Sequence, residues 1–229
     1  EQCLESGFNL YKPYRRLSKI DDALIKKLDI AFDDELGFIT ASPSNLGTGM
    51  RASVMLFLPA LEKSGQISAL TERAHASGLT IRGIYGEGSK AIGYFYQISN
   101  QGSFGLSEDE IIDKVSQFIY CVCTEEKEMR EILLREQSDK IQDEAQRAYG
   151  ILTNCHSLEE KEMMDLLSKV KFGCVLGFMN MTDSVKFGKL YHEGAKANLK
   201  EIFRFEDEKE EKIKRAEYIS EKVKNLIER

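Results

Sequence analysis

Apolar residues recur every four positions between Ser18 and Phe32, at Ile20, Leu24, Leu28 and Phe32. Residues that are four positions apart lie on the same face of an α-helix, so this spacing predicts an amphipathic helix over the whole range.

Four short apolar runs follow, each rich in β-branched or aromatic residues and bounded by Gly, Pro, Ser or Asn. They are Leu36–Ser42, Arg51–Leu58, Leu79–Ile84 and Ile92–Ser99. Runs of this kind are typical of strands. Between the second and third runs the apolar spacing is helical, and Gly78 is placed to end that helix. The order strand, strand, helix, strand, strand predicts an α+β fold with a mainly antiparallel sheet flanked by helices.

The second half of the chain is almost wholly helical in pattern. Ser107 to Glu110 and Ser157 to Glu160 each have the residues of a capping box ahead of an apolar helical stripe. The charged stretch from Glu201 to Arg229 predicts a solvated surface helix with ion pairs four residues apart. Because the pattern changes near Gly150, we expect an α+β domain over residues 1–150 and a small helical domain over residues 151–229.

Composition narrows the classes of function. The 229 residues hold 32 Lys and Arg against 38 Asp and Glu, a net charge of −6. This acidic balance argues against binding to nucleic acid or to an anionic membrane. No apolar run approaches the roughly 20 residues that span a bilayer, and the first residues do not resemble a secretory signal, so we expect a cytoplasmic protein. The five cysteines are scattered, and we expect them to be reduced and to bind no metal.

A glycine-rich segment from Ser42 to Arg51 separates the first two predicted strands. Gly47 and Gly49, one residue apart, would let a turn present backbone N–H groups to an anion. Arg51 opens the next strand, from which its guanidinium could bind a phosphate through two hydrogen bonds. An ordinary hairpin loop remains the alternative interpretation of this segment.

A second glycine-rich segment, Arg82 to Ser89, separates the last two predicted strands and contains one acid, Glu87. Taken alone, Glu87 could be a solvated loop carboxylate. Together with Arg51, however, Arg82 gives two arginines at strand ends beside glycine-rich loops, a pattern that favours a polyphosphate site.

These segments resemble a known family. The run Ser42-Pro43-Ser44-Asn45-Leu46-Gly47-Thr48-Gly49-Met50-Arg51 is similar to a segment of the ATP:guanido phosphotransferases, the creatine and arginine kinases. The runs Arg82-Gly83-Ile84-Tyr85-Gly86-Glu87-Gly88-Ser89 and Tyr149-Gly150-Ile151-Leu152-Thr153-Asn154-Cys155 resemble more closely the bacterial branch, the protein-arginine kinases.

The resemblance implies transfer of the γ-phosphoryl group of ATP to the guanidinium of arginine residues in proteins, with Mg²⁺ bound through the nucleotide. It assigns Arg51 and Arg82 to the nucleotide phosphates and gives Glu87 a catalytic role beside the substrate guanidinium. The implied nucleotide-binding residues are Arg51, Ala52, Ser53, Val54, Met55, Arg82, Gly83, Ile84, Tyr85, Gly86 and Glu87, with Asn45, Gly47, Thr48 and Gly49 shaping the adjacent loop.

The chain also departs from the family pattern. Ser42 stands where the family usually has a reactive cysteine. The S-x-R-x-R and N-E-E-D-H segments of the family, which supply further arginines and a second carboxylate, are not found. We therefore expect a C-terminal portion of a longer kinase that is inactive by itself.

A third departure concerns the R-D-x-x-R-A motif, which binds phosphoarginine in the bacterial branch. Its counterpart here is Glu211-Lys212-Ile213-Lys214-Arg215-Ala216. Only the last two residues match, and a glutamate at the first position would repel a phosphate. We expect Arg215 to belong to the surface helix instead.

Two other functions stay open at this point. One is a non-catalytic module that binds a partner or phosphoarginine, and the other is a kinase for a small guanidino compound. The partners implied by the resemblance are arginine-bearing protein substrates, a zinc-binding activator protein and Clp protease machinery. An exposed sheet edge would favour homo-oligomers.

Overall fold

The computed structural model describes residues 1–83 and 91–228. The helices are α1 (Tyr11–Ile25), α2 (Pro59–Lys63), α3 (Ile67–Ala76), α4 (Glu108–Glu136), α5 (Ser138–Asn154), α6 (Glu160–Val175), α7 (Ser184–Glu193), α8 (Lys196–Ile202) and α9 (Glu208–Leu226). The strands are β1 (Phe32–Asp33), β2 (Gly37–Phe38), β3 (Ser53–Phe57), β4 (Leu79–Gly83), β5 (Phe95–Asn100), β6 (Asn180–Met181) and β7 (Ile227–Glu228).

The described residues divide into two compact units, residues 1–83 with 96–126, and residues 91–95 with 127–228. The sequence prediction placed the division at residue 150, which lies within α5. The structure places the division between Glu126 and Lys127, inside the long helix α4, which contributes residues to both units. A change of helical pattern at Gly150 does not mark this position.

The first unit is built on a three-stranded sheet in the order β3-β5-β4. Strands β4 and β5 are antiparallel, in a register that places Leu79 opposite Asn100 and Gly83 opposite Tyr96. One face of the sheet carries buried apolar side chains, including Ile81 and Ile98, and α3 packs beside β4. The predicted α+β class with antiparallel strands and flanking helices is confirmed.

The second unit is a helical cluster. Helix α5 packs against both α6 and α9, with Ala145, Leu167 and Val223 among the buried residues that they share. A Cβ atom on Gly173 of α6 would lie 2.5 Å from the Cβ atom of Ala145, so a glycine is required where the two helices approach closely. The short pair β6–β7 is antiparallel.

The N-terminal elements differ from the prediction. Helix α1 begins seven residues before Ser18 and ends at Ile25, and none of its residues is buried. Phe32 fits the apolar spacing but lies outside the helix, in the hairpin formed by β1 and β2. Its apolar ring serves a different contact there, because its centroid lies 5.2 Å from that of Phe38. The predicted strand Leu36–Ser42 shortens to β2, which pairs with β1 and not with the three-stranded sheet.

The predictions for the helical half are partly confirmed. Ser107 and Glu110 form the capping box at the start of α4, with the Ser107 backbone N–H donating to the Glu110 carboxylate at 2.8 Å. At α6 the predicted box does not form, because the helix begins at Glu160 and Glu159 holds the N-cap position. The solvated surface helix predicted between Glu201 and Arg229 is also wrong, since α9 buries one whole face in the second unit.

Candidate functional site

The three-stranded sheet presents a polar face opposite its apolar one. Gln97 of the central strand β5 lies opposite Arg82 of β4, and directly opposed residues in an antiparallel pair project to the same side. The Gln97 Nε2 amide donates to the Ser53 Oγ of β3 at 3.0 Å. Polar side chains from all three strands therefore form one row across this face.

A second polar contact lies two residues farther along β5. Arg51 Nη2 donates a hydrogen bond to the Ser99 Oγ at 3.0 Å. Because Ser99 and Gln97 are two positions apart, they project from the same face of the strand. Arg51 and Arg82 are both exposed, so the face offers two guanidinium groups to an anion from solvent.

The glycine-rich loop before β3 is held in place by close backbone packing. Gly47 has a φ of 101°, and a Cβ atom there would lie 2.8 Å from the Ser103 carbonyl oxygen. The Phe38 N–H donates to the Gly47 carbonyl oxygen at 2.8 Å. The loop therefore needs glycine at Gly47 for a left-handed conformation and for the close approach of neighbouring backbone.

Two side chains at and just beyond the end of β5 hold this loop in place. Asn100 donates through Nδ2 to the Met50 carbonyl oxygen at 3.0 Å and accepts at Oδ1 from the Ala52 N–H at 2.8 Å. The Ser103 Oγ donates to the Leu46 carbonyl oxygen at 3.0 Å. The backbone on both sides of Arg51 is thus fixed to the end of the central strand.

The predicted site residues fall into four groups. Arg51, Ser53 and Arg82 come together on the polar face of the sheet. Ala52 is 8% exposed and lies among the buried residues, whereas Met55 is 56% exposed. Of the remaining described residues, the loop before β3 holds Asn45, Gly47, Thr48 and Gly49, β3 holds Val54, and β4 ends at Gly83. Four predicted residues lie outside the described residues: Ile84, Tyr85, Gly86 and Glu87.

The sequence interpretation gave no role in the site to Gln97, Ser99, Asn100 or Ser103. For Gln97 and Ser99 a signal was present, because polar residues at positions 97 and 99 alternate with the apolar residues at 96 and 98 along a predicted strand. Asn100 carried no such signal, because its burial and its bonds to neighbouring backbone groups are visible only in the structure.

Arg215 does not belong to a solvated surface. It is 1% exposed and donates from Nε to the Gly194 carbonyl oxygen at 2.7 Å and from Nη1 to the Leu158 carbonyl oxygen at 3.0 Å. Its Nη2 donates to Glu211, and Glu160 lies 3.6 Å away. The prediction that Arg215 serves the surface helix is therefore wrong, because its guanidinium joins α9 to the segments before α6 and α8.

The charge of Glu211 is stabilised by its neighbours. Burial raises the pKa of its carboxyl, but hydrogen bonds from Arg215 and from Lys196, whose Nζ lies 3.1 Å from Oε2, outweigh burial and lower the pKa below its ordinary value. The glutamate predicted to repel a phosphate is thus engaged by two cations of its own chain.

Within residues 1–83 and 91–228, no three His, Cys, Asp or Glu side chains are grouped so that they could hold a metal ion. None of the helices in those ranges combines the length and the apolar character needed to cross a bilayer. The described part of the polar face thus offers cationic and hydroxyl groups, which suit an anion.

The relation to known proteins is decided by a family model. The model of the ATP:guanido phosphotransferase C-terminal catalytic domain matches residues 2–129, more than half of the chain. The chain belongs to the ATP:guanido phosphotransferase family. A second model, the protein-arginine kinase McsB C-terminal domain, matches residues 138–229. The resemblance to the protein-arginine kinase branch is therefore confirmed. The first match ends within α4, and the second begins just after that helix.

Curated relatives agree with this branch of the family. A protein-arginine kinase of Clostridium acetobutylicum is 39% identical over 224 residues, which are 97% of this chain and 66% of that protein. A protein-arginine kinase of Caldanaerobacter subterraneus is 40% identical over 220 residues, 96% of this chain and 65% of the relative. The chain thus spans about two thirds of the length of these guanido kinase relatives.

A solved structure of a lombricine kinase is 28% identical to this chain, with a TM-score of 0.47, over 54% of this chain and 34% of that one. The duplicated taurocyamine kinase of Schistosoma mansoni, with bound transition state analog components, is 33% identical with a TM-score of 0.46, over 58% of this chain and 17% of that one.

Proposed function

We propose that this chain forms the nucleotide-binding part of a protein-arginine kinase, which transfers the γ-phosphoryl group of ATP to the guanidinium of arginine residues in proteins. The observation that supports it most strongly is the pair of exposed arginines, Arg51 and Arg82, on one polar face of the sheet. The similarity to curated protein-arginine kinases supports the choice of a protein substrate.

Two arginines suit the phosphates of ATP for a chemical reason. A guanidinium is always charged and presents several N–H donors in one plane, which match the oxygens of a phosphate. During phosphoryl transfer, charge is spread over the oxygens of the transferred group, and fixed cations stabilise it. We assign this role to Arg51 and Arg82.

The acceptor sets a second requirement. The substrate guanidinium is protonated at neutral pH, so the enzyme must align it and help to remove a proton before its nitrogen can attack the γ-phosphorus. We propose Glu87 for this role. The assignment rests on the family motif, since Glu87 lies outside the described residues.

Mg²⁺ is proposed to enter with the nucleotide. The described polar face contains arginine, serine and glutamine side chains and no carboxylate cluster that could bind the ion directly. Phosphate oxygens are favoured ligands of Mg²⁺, which usually keeps several waters and few protein ligands. The metal would neutralise part of the phosphate charge beside the two arginines.

Partners belong to the same proposal. Arginine-bearing proteins are the proposed substrates, and a zinc-binding activator protein and Clp protease machinery are the proposed regulatory partners. We further propose a cytoplasmic location. Affinity capture from a lysate, with and without ATP, followed by mass spectrometry would test the two regulatory partners.

Phosphoryl transfer is tested with the protein expressed at the full length of its reading frame. It is incubated with ATP, Mg²⁺ and an unfolded arginine-containing protein, and phosphoarginine is detected by its acid lability and by mass spectrometry. We expect phosphoarginine with the wild type and its loss in Glu87→Gln and Arg51→Ala. Glu35→Gln, a change in the exposed β1–β2 turn, is the matched control.

Three outcomes would contradict the proposal in different ways. ATP binding without phosphoarginine would indicate a non-catalytic module. Faster phosphorylation of free arginine or creatine than of the protein would indicate a kinase for small guanidino compounds. Unchanged activity in Glu87→Gln would remove the assigned catalytic carboxylate.

A further inference from the structure

We propose that Ser99 is a positioning residue for Arg51, whose guanidinium it holds ready for the nucleotide phosphates. This inference rests on the proposed function, because it concerns the same nucleotide site. It assigns to the site a buried hydroxyl of the central strand that the sequence interpretation left without a role.

The contact has a defined direction. A guanidinium has only donors, so the Ser99 Oγ accepts the hydrogen bond from Arg51 Nη2 at 3.0 Å. Ser99 is 1% exposed and lies on the central strand β5, so its position is set by the sheet and not by solvent. Arg51 is thus held by a rigid acceptor through Nη2, and within residues 1–83 and 91–228 its other N–H groups are left for a ligand.

The residue after Ser99 fixes the backbone from which Arg51 projects. Asn100 is bonded to the Met50 carbonyl oxygen and to the Ala52 N–H, the two backbone groups that flank Arg51. The consecutive residues Ser99 and Asn100 therefore hold both the main chain around Arg51 and the tip of its side chain. This double anchoring distinguishes Arg51 from an arginine that merely lies on a surface.

Without this anchoring, phosphate binding would carry an extra entropic cost. Arginine is exposed here and long, so a phosphate that binds it must otherwise order the side chain at the moment of binding. A bidentate contact also requires a fixed plane of the guanidinium. Loss of the Ser99 hydroxyl should therefore weaken ATP binding about three- to tenfold, which corresponds to the ordering of one side chain.

A purely structural role of Ser99 makes different predictions. In that case Arg51 would serve only to satisfy a buried hydroxyl, and removing the hydroxyl would change stability without changing the affinity for phosphates. The two roles are separated by comparing ATP with adenosine, which has the same base and sugar but no phosphates. They are also separated by testing whether the effect of Ser99 depends on Arg51.

The experiment is a double-variant cycle with Ser99→Ala, Arg51→Ala and the combination of both, on the full chain. Dissociation constants for ATP·Mg²⁺ and for adenosine are measured by calorimetry, and Tm is recorded for each variant. Ser99→Thr keeps the hydroxyl and serves as the conservative variant. Thr80→Ala is the matched control, because Thr80 lies opposite Ser99 in the register of β4 and β5.

We expect Ser99→Ala to weaken ATP binding about three- to tenfold with unchanged adenosine binding, and Thr80→Ala and Ser99→Thr to stay within about twofold of the wild type. In the Arg51→Ala background, Ser99→Ala should have no further effect.

The inference is overturned if Ser99→Ala leaves the ATP affinity unchanged while Arg51→Ala reduces it, or if Ser99→Ala weakens binding equally in both backgrounds. Wild-type protein that binds no ATP, or an Arg51→Ala variant that binds it normally, would instead overturn the proposed function itself.

Discussion

At the scale of single residues, Arg215 shows how a charged side chain can hold a helical unit together. Its guanidinium is almost fully buried and bonds to two backbone carbonyl oxygens and to Glu211. Buried charges are tolerated only where partners and hydrogen bonds replace water. Arg215 therefore has a structural role, and its guanidinium is already engaged by its own chain.

We predict that Arg215→Leu lowers the free energy of unfolding by about 3–5 kcal/mol, because it leaves the buried Glu211 carboxylate without its main partner. Arg147→Leu, which breaks an exposed pair with Asp143, should cost less than about 1 kcal/mol. Urea unfolding measures both. Equal losses in the two variants would contradict the structural role of Arg215.

The lowered pKa of Glu211 makes a prediction about pH. A carboxyl whose pKa is lower in the folded state contributes stability above its unfolded value, near 4.5, and that contribution is lost as pH falls through the folded value. The stability difference between wild type and Glu211→Gln should therefore be largest at neutral pH and should shrink below about pH 4.5. Urea midpoints measured at pH 7, 5 and 3 test this, and a constant difference would contradict it.

Sequence patterns predicted part of the site at this scale. The glycine-rich motifs led to Arg51 and Arg82, the family resemblance added Ser53, and the sheet does bring these three to one face. Ser99 and Asn100 were missed because their roles depend on the pairing of β5 with its neighbours, and register is not visible in a single strand. Arg215 was assigned to the surface because charge patterning alone does not show which arginines find buried partners.

At the scale of elements, the loop between β2 and β3 is the part whose conformation most constrains the site. It contacts both the β1–β2 hairpin and the segment after β5, and a Cβ atom on Gly47 would lie 2.8 Å from the Ser103 carbonyl oxygen. Any distortion there would be transmitted to Arg51, which lies two residues before the start of β3.

We predict that Gly47→Ala lowers the free energy of unfolding by at least about 1 kcal/mol and weakens ATP binding, because alanine is strained at a φ of 101° and its Cβ would meet the Ser103 carbonyl oxygen. Gly188→Ala is the control. Gly188 lies in α7 with open space around it, so alanine should be neutral or stabilising by about 0.5–1 kcal/mol. Thermal unfolding measures the stability of both variants, and calorimetry measures their affinity for ATP. A Gly47→Ala variant with wild-type stability and affinity would contradict the packing described for the loop.

Element prediction succeeded where local chemistry determines the structure. The capping box at Ser107 and Glu110 lies where its residues indicated, because its hydrogen bonds are made within one turn. It failed for the helix predicted from Ser18 to Phe32, because the apolar spacing continues into a hairpin. There Phe32 contacts the ring of Phe38 and does not lie on a helix face. The box predicted at Ser157 failed because Leu158 is engaged instead with α9, its N–H donating to the Lys212 carbonyl oxygen.

At the scale of the whole molecule, the described residues form two units, and two different family models match residues 2–129 and 138–229 of the chain. The polar sheet face belongs to the first unit and the Arg215 network to the second. The α+β class was predictable from the order of apolar runs. The division between the units was not predictable, because it falls within α4, whose sequence has the pattern of one uninterrupted helix.

We predict that ATP·Mg²⁺ slows hydrogen exchange in the first unit, at β3, β4, β5 and the loop before β3, because these elements carry the proposed phosphate site. Helices α5 and α9 should exchange at the same rate with and without nucleotide. Exchange measured by mass spectrometry, with adenosine as the control ligand, tests this. Protection centred on α5 and α9 would place the nucleotide in the helical unit and contradict the assignment.

The central claim is that Arg51 and Arg82 bind the phosphates of ATP, and titration of ATP·Mg²⁺ into the chain by calorimetry tests it most directly. The account predicts measurable binding by the wild type, strongly weakened binding in Arg51→Ala and in Arg82→Ala, and normal binding in Arg147→Ala, which removes the same charge elsewhere. Unweakened binding in both site variants, or no binding by the wild type at millimolar nucleotide, would contradict it.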